Sequence, residues 1–187
     1  MNEILVPAPA KINLSLDIKG LRDDGYHQLE MIMQSISLHD IIQLEKRYNK
    51  INITCSDNRL PENENNLAYQ AADIFMKRVG LSSGLKITIK KNIPLSAGLA
   101  GGSTDAAAVL KGLNILFDTG LTLEQLKLLG SKIGSDVPFC IQGGTAFATG
   151  RGDSLRQLPD IQKTHLVLVT PPVEVGTPEI YAQYDQE

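Results

Sequence analysis

Apolar and polar residues alternate from Ile12 to Ile18, where Ile12, Leu14, Leu16 and Ile18 interleave with Asn13, Ser15 and Asp17. This period of two predicts a half-buried strand, with Lys11, Asn13, Ser15 and Asp17 sharing one face. A second β-rich stretch runs from Gln28 to Leu44 through Met31, Met33, Ile36, Leu38, Ile41 and Ile42, and Ile51 to Cys55 reads as a short strand. The period then changes. Leu67, Ala71, Ile74, Phe75 and Arg78 follow helical spacing, with Asn66 placed to cap the helix and Gly80 to stop it after Val79. Leu85 to Lys90 alternates again, and Ala106, Val109, Leu110, Leu113 and Phe117 form a helical stripe. Thr122-Leu123-Glu124-Gln125 is a capping box, which predicts a helix to about Ile133, stopped by Gly134. Gly143 to Thr149 reads as glycine-rich β structure, Leu158-Pro159-Asp160 as a linker, and His165 to Thr170 as one further strand. Strands come first in blocks and helices later, which favours α+β over a doubly wound sheet.

Between the strand ending at Lys90 and the helical stripe opening at Ala106 lies Pro94-Leu95-Ser96-Ala97-Gly98-Leu99-Ala100-Gly101-Gly102-Ser103-Thr104-Asp105. Its glycines let the backbone turn tightly and bring bare N–H groups close to a ligand. The first turn of the following helix adds unpaired donors and the positive end of its dipole, and together these cradle phosphate. The loop is neither a Walker A sequence nor Gly-x-Gly-x-x-Gly. Taken alone, a need for small residues in close helix–strand packing explains it equally well. Ser103 and Thr104 add hydroxyls where a helix N-cap or a metal-bound phosphate would want them.

Bulk properties narrow the classes. The 187 residues suffice for one core with length left for part of a second domain. A net charge of −3 gives no electrostatic reason to expect nucleic acid or an anionic membrane. No apolar run reaches bilayer length, and Met1 to Pro7 is not a secretory signal. With no tryptophan and 5% aromatics there is no stacking platform for single strands. Cys55 and Cys140 lack metal-like spacing and read as reduced, buried thiols in a cytosolic protein.

A lysine at the start of a strand, like Lys11, is ordinarily a solvated edge charge, and Asp136 just past a helix end is ordinarily a cap or turn residue. With the loop, however, they offer one candidate for each part that phosphoryl transfer needs. These are a phosphate cradle, a cation near the transferred group, and a carboxylate at the attacking hydroxyl.

The combination also resembles a known family. Pro9-Ala10-Lys11-Ile12-Asn13-Leu14, the glycine loop, and Gly134-Ser135-Asp136-Val137-Pro138-Phe139 resemble motifs of the GHMP small-molecule kinases, named for galactose, homoserine, mevalonate and phosphomevalonate. Arg22-Asp23-Asp24-Gly25-Tyr26-His27 resembles the substrate loop of the branch that phosphorylates 4-diphosphocytidyl-2-C-methyl-D-erythritol in non-mevalonate isoprenoid biosynthesis. The resemblance extends from Pro7 to Tyr181. It implies an ATP-dependent kinase using Mg2+, and an α+β fold with a sheet packed on helices and a left-handed βαβ crossover. It also implies an N-terminal ATP- and substrate-binding domain over residues 1–158, with the start of an incomplete C-terminal domain over 159–187. Exposed apolar surface and a half-built ATP site are then expected.

By the same resemblance, Asp136 takes the proton from the substrate's 2-hydroxyl. Lys11 keeps that carboxylate ionised and helps neutralise the moving phosphoryl group, and Asn13 hydrogen-bonds the substrate. Pro94 to Thr104 hold the ATP phosphates, with Mg2+ on phosphate oxygens and Ser103 as its candidate protein partner. Asn66 and Leu67 fall at adenine, Tyr26 and His27 at cytidine, and Tyr181 on the other side of the cytosine. Ala100 stands where many relatives have glycine, which is tolerable if residue 100 keeps a negative φ. No nucleic acid or membrane is expected as partner, and a monomer or homodimer is compatible with all of this. The rivals are a homoserine or mevalonate-type kinase and a catalytically silent nucleotide-binding module.

Overall fold

The computed structural model describes residues 1–47, 49–170, 180 and 183–184. The two N-terminal stretches form one long hairpin, in which β1 (Glu3–Leu21) pairs antiparallel with β2 (His27–Arg47). β1 starts well before the alternating segment because Pro7 and Pro9 interrupt the sequence pattern without interrupting the strand. A proline has no N–H to give a ladder, and among the described residues β1 pairs on one side only, with β2.

β2 is long enough to seat two strands end to end opposite β1. β4 (Gly84–Lys90) pairs along Ile41–Arg47, and β5 (Thr145–Gly150) along Leu29–Gln34. β3 (Ile51–Cys55) lies parallel to β4 and reaches it through α1 (Leu67–Val79), while β6 (Ser154–Leu158) folds back on β5. The β1–β2 register slips between Pro9 and Lys11, where Ala10 faces the segment Ile36 to Leu38. The slip changes which residues of β2 turn inward, from Leu29, Met31 and Met33 to Asp40, Ile42 and Leu44. Lys11 sits at that break.

Three helices pack against the sheet, α1, α2 (Gly101–Leu116) and α4 (Val137–Gln142), and α3 (Leu123–Gly130) packs on these helices rather than on the strands. Ile42, Leu44, Ile87 and Ile89 from the sheet meet Phe75 of α1 and Val109, Leu110 and Leu113 of α2 in one core. Burying each such side chain contributes about 1.5–3 kcal/mol before chain entropy is set against it. α2 approaches the sheet closely enough that a Cβ on Gly112 would stand 2.5 Å from Leu44 Cδ1 and 2.9 Å from Val6 Cγ2.

Asn66 caps α1 and Gly80, in the left-handed region at φ 69°, ends it, as the sequence predicts. The capping box of α3 forms as well. Three expectations change. α3 ends at Gly130 rather than Ile133, because residues 131–133 close as a turn in which Gly134 N–H also reaches the Gly130 carbonyl. His165 to Thr170 is not a strand; among the described residues nothing pairs with it, and Val167 is 88% exposed. From Asn13 to Asp17 the strand is open on both faces, with Leu14 and Leu16 exposed, since no described element covers it.

Candidate active site

The glycine loop runs from the end of β4 into α2 and is tied to β1 at two points. Lys11 N–H donates to the Leu99 carbonyl at 3.1 Å, and the Thr104 hydroxyl donates to the Pro9 carbonyl at 2.7 Å. Thr104 is thereby buried in structure, and of the two predicted hydroxyl residues only Ser103 stays partly exposed. Its Oγ lies 3.8 Å from where a Cβ on Gly134 would stand, next to the turn that carries Asp136.

α2 begins without a side-chain cap and without an acidic residue in its first turn. The N–H groups there have no intrahelical partners and suit an anion. Ala100 occupies the N-cap at φ 58°, which overturns the expectation of a negative φ; the sharp turn into the helix needs a left-handed residue there. Ser96 is held likewise at φ 53°. Such conformations cost an L-residue roughly 1 kcal/mol each and cluster where a fold holds backbone for a ligand. The glycines serve close approach. A Cβ on Gly101 would stand 3.2 Å from Lys91 Nζ, and one on Gly102 would stand 3.3 Å from Leu67 Cδ1. Leu67, read as an adenine contact, therefore packs directly against the loop.

Lys11 is not the solvated edge charge that its position suggests, since it is 7% exposed. Its Nζ lies 3.8 Å from Asp136 Oδ2 and donates to Asn13 Oδ1 at 3.4 Å. Asp136 occupies the N-cap position of α4, but its carboxylate makes no cap hydrogen bond, and its side chain is 34% exposed. An ordinary N-cap aspartate would turn inward to satisfy a backbone N–H; this one is left facing Lys11. Behind it, burial pushes the Cys140 thiol up to about 12, with the Asp136 carboxylate adding to the effect. Cys140 is thus a neutral packing group, and neither it nor Cys55 forms a disulfide.

The remaining predicted residues divide. Asn66 is buried, with Oδ1 accepting from Ala68 N–H and Nδ2 donating to the Pro61 carbonyl, each at 2.9 Å, so its amide is engaged at both ends. Tyr26 and His27 lie at the far end of the β1–β2 ladder. Eight residues of β2, about 25 Å of strand, separate His27 from Ser35, the partner of Lys11. Tyr26 is 51% exposed, and the Arg151 guanidinium lies 3.6 Å from its ring centroid. His27 meets Tyr184 edge-on at 6.2 Å between centroids. Tyr181 lies outside the described residues. Arg151 has no motif to mark it in the sequence; it is an exposed cation between two glycines in the turn after β5. Among the described residues no cluster of three or more acidic, histidine or cysteine side chains is arranged for a metal ion. Two surface depressions flank Tyr69, Asp73 and Lys77 of α1, and neither includes Lys11 or Asp136.

Residues 66–144 match the family of GHMP kinases N terminal domains. The chain is 50% identical over 180 residues to a 4-diphosphocytidyl-2-C-methyl-D-erythritol kinase of Clostridium beijerinckii, an alignment covering 96% of this chain and 64% of the relative. It is 50% identical over 186 residues to the enzyme of the same name from Listeria monocytogenes serotype 4a, covering 99% and 64%. The chain thus spans less than two thirds of the length of these relatives. A crystal structure of 4-(cytidine 5'-diphospho)-2C-methyl-D-erythritol kinase superposes with a TM-score of 0.74 at 37% identity, covering 83% of this chain and 55% of the other. Homoserine kinase from Cytophaga hutchinsonii gives a TM-score of 0.73 at 20% identity over 97% and 60%, which is a likeness of fold. Sheet, helices and motifs agree with these comparisons: the chain carries a GHMP kinase N-terminal domain.

Proposed function

We propose that the chain serves an ATP-dependent kinase that phosphorylates the 2-hydroxyl of 4-diphosphocytidyl-2-C-methyl-D-erythritol. The observation that carries the reading is the Lys11–Asp136 pair beside an uncapped helix N-terminus, with a carboxylate that no backbone group uses. The backbone N–H groups from Gly98 to Ser103 receive the ATP phosphates. Mg2+, when bound, would neutralise charge on those oxygens; with no acidic cluster among the described residues, the phosphates themselves and the Ser103 hydroxyl are its fitting partners.

Asp136 accepts a hydrogen bond from the substrate hydroxyl, aims its oxygen at the γ-phosphorus and receives the proton as the new bond forms. Lys11 sits within reach of both partners and offsets charge on the phosphoryl group in flight. Asn13, hydrogen-bonded to Lys11, fixes the ammonium and offers its amide to the substrate. An extended cytidine diphosphate substrate suits the distance along the β1–β2 ladder, with Tyr26 and His27 at its base end. The choice of this substrate over others of the superfamily rests on the Gly25-Tyr26-His27 loop and on the names of relatives at about half identity.

A panel assay with MgATP tests it. Transfer to the cytidine diphosphate substrate, with homoserine and mevalonate left unphosphorylated, is the expected result. Preference for homoserine or mevalonate would move the chain to another branch, and nucleotide binding without transfer to any acceptor would make it a binding module.

A further inference from the structure

Beneath the glycine loop lie three charged side chains that the phosphoryl-transfer reading does not use. Lys91 directly follows β4, Asp105 lies in α2 just past its first turn, and Asp40 belongs to β2. Lys91 Nζ donates to Asp105 Oδ2 at 2.8 Å and to Asp40 Oδ2. Asp40 Oδ1 also accepts from the backbone N–H groups of Asn92 and Ile93. Asp40 is fully buried and Asp105 is 2% exposed. Lys91 and Asp105 bracket the loop, so the three side chains join both its ends to the central strand.

The cluster has two faults if every group carries its usual charge. One ammonium with two carboxylates leaves an uncompensated negative charge in the interior, which is strongly unfavourable. Asp105 Oδ1 is also buried without a hydrogen-bond partner. One proton on Asp105 removes both faults, because a neutral carboxyl can donate to the adjacent Asp40 while still accepting from Lys91. Burial pushes the Asp105 carboxyl up to about 7, with Lys91 pulling the other way and the Asp40 carboxylate reinforcing the rise. Burial also works against the Lys91 ammonium, but the two carboxylates hold it above its ordinary value.

Among the described residues little else charged faces the cluster. Cys55 at the end of β3 and Asp57 beyond it are its further titratable neighbours. α1 turns apolar residues inward, Lys11 and Cys140 lie towards Thr104, and Glu124 and Lys127 of α3 pair with each other.

We infer that Asp105 is a positioning residue that, as a neutral acid, closes the base of the glycine loop through Lys91 and Asp40 and so presets its N–H groups for phosphate. The inference rests on the phosphate-binding reading of that loop. Above neutrality the proton leaves, the cluster acquires net charge, and the loop loosens. Asp105→Asn copies the neutral acid, accepting from Lys91 through its oxygen and donating to Asp40 through its amide. Asp105→Ala copies neither.

The test combines 13C carboxyl NMR of Asp105, amide hydrogen exchange at Gly98 to Ser103, and MgADP titration at pH 6 and 8.5. The expected Asp105 signal is that of a carboxylic acid at pH 6, titrating near neutrality. Wild-type affinity for MgADP should fall about 10-fold relative to D105N as pH rises, the comparison cancelling the nucleotide's own titration. D105A should show fast loop exchange and weak binding at both pH values. An ionised Asp105 at pH 6, or a loop as loose in D105N as in D105A, would overturn the inference. If no form binds MgADP, the phosphate reading fails, and carboxyl titration with loop exchange still decides the clamp. If D105A does not fold, the difference between wild type and D105N across pH decides it.

Discussion

Two lysines flank the glycine loop, and the molecule treats them differently. Lys91 is held between two buried carboxylates at hydrogen-bond distance, one of them braced by backbone N–H groups. Lys11 is almost as buried, yet its one carboxylate stands 3.8 Å away, is a third exposed and makes no backbone cap. An ammonium has three donors, and a buried one with unfilled capacity costs stability unless something completes it. Lys91 directs two of its three donors to carboxylates buried with it, as an ion pair of the core does. The Lys11 pair keeps a longer, partly exposed contact with a carboxylate that no backbone group uses, and the proposed phosphoryl-transfer role draws on that difference from a salt bridge of the core.

The sharpest way to break this contrast is Asp136→Asn. It should lower kcat by about 10²–10⁴ while leaving nucleotide binding and the folded state intact, as steady-state kinetics and thermal melts would show. Next in size is a stability comparison by denaturant unfolding. Lys91→Met leaves the buried Asp40 carboxylate and Asp105 without their cation and should cost about 3–5 kcal/mol. Lys11→Met, which leaves a partly solvated aspartate, should change stability by less than about 1 kcal/mol; equal losses would erase the distinction.

The pH profile sharpens it further. Asp105 binds a proton in the folded chain up to about pH 7, whereas the unfolded chain releases it near its ordinary value. Its contribution is therefore full below about pH 4, falls as pH rises, and levels off above about 7, a change on the order of a few kcal/mol. D105N should remove that slope. The smallest effect is Ala100→Gly, which relieves a left-handed alanine and should stabilise by about 0.5–1 kcal/mol in the same unfolding assay.

Much of this was legible in the sequence where a local rule applies. Asn66 and Gly80 bound α1, Thr122 opens α3, and alternation marks β2 and β4, because caps and periodicity act through neighbours in the chain. Lys11, Asp136 and the loop were found together through motifs, and the structure adds that the lysine is buried and the aspartate uncapped. What was missed depends on tertiary context. The extension of β1 through two prolines needs a free edge, and the φ of Ala100 is set by the turn. Pairing of Lys91 with Asp40 joins residues 51 apart in the chain, and its pairing with Asp105 closes over the 14 residues of the glycine loop segment. The signal available was Asp105 itself, a charge opening a run of alanines that a buried helix face would bury. His165 to Thr170 has the composition of a strand, but composition cannot supply a partner.

The most direct measurement is an amide NMR titration of this chain with MgADP. The account predicts perturbation concentrated at Gly98 to Ser103 and at Asp136, with Tyr69, Asp73 and Lys77 of α1 unmoved. Perturbation centred on the α1 depressions, with the loop and Asp136 silent, would contradict it.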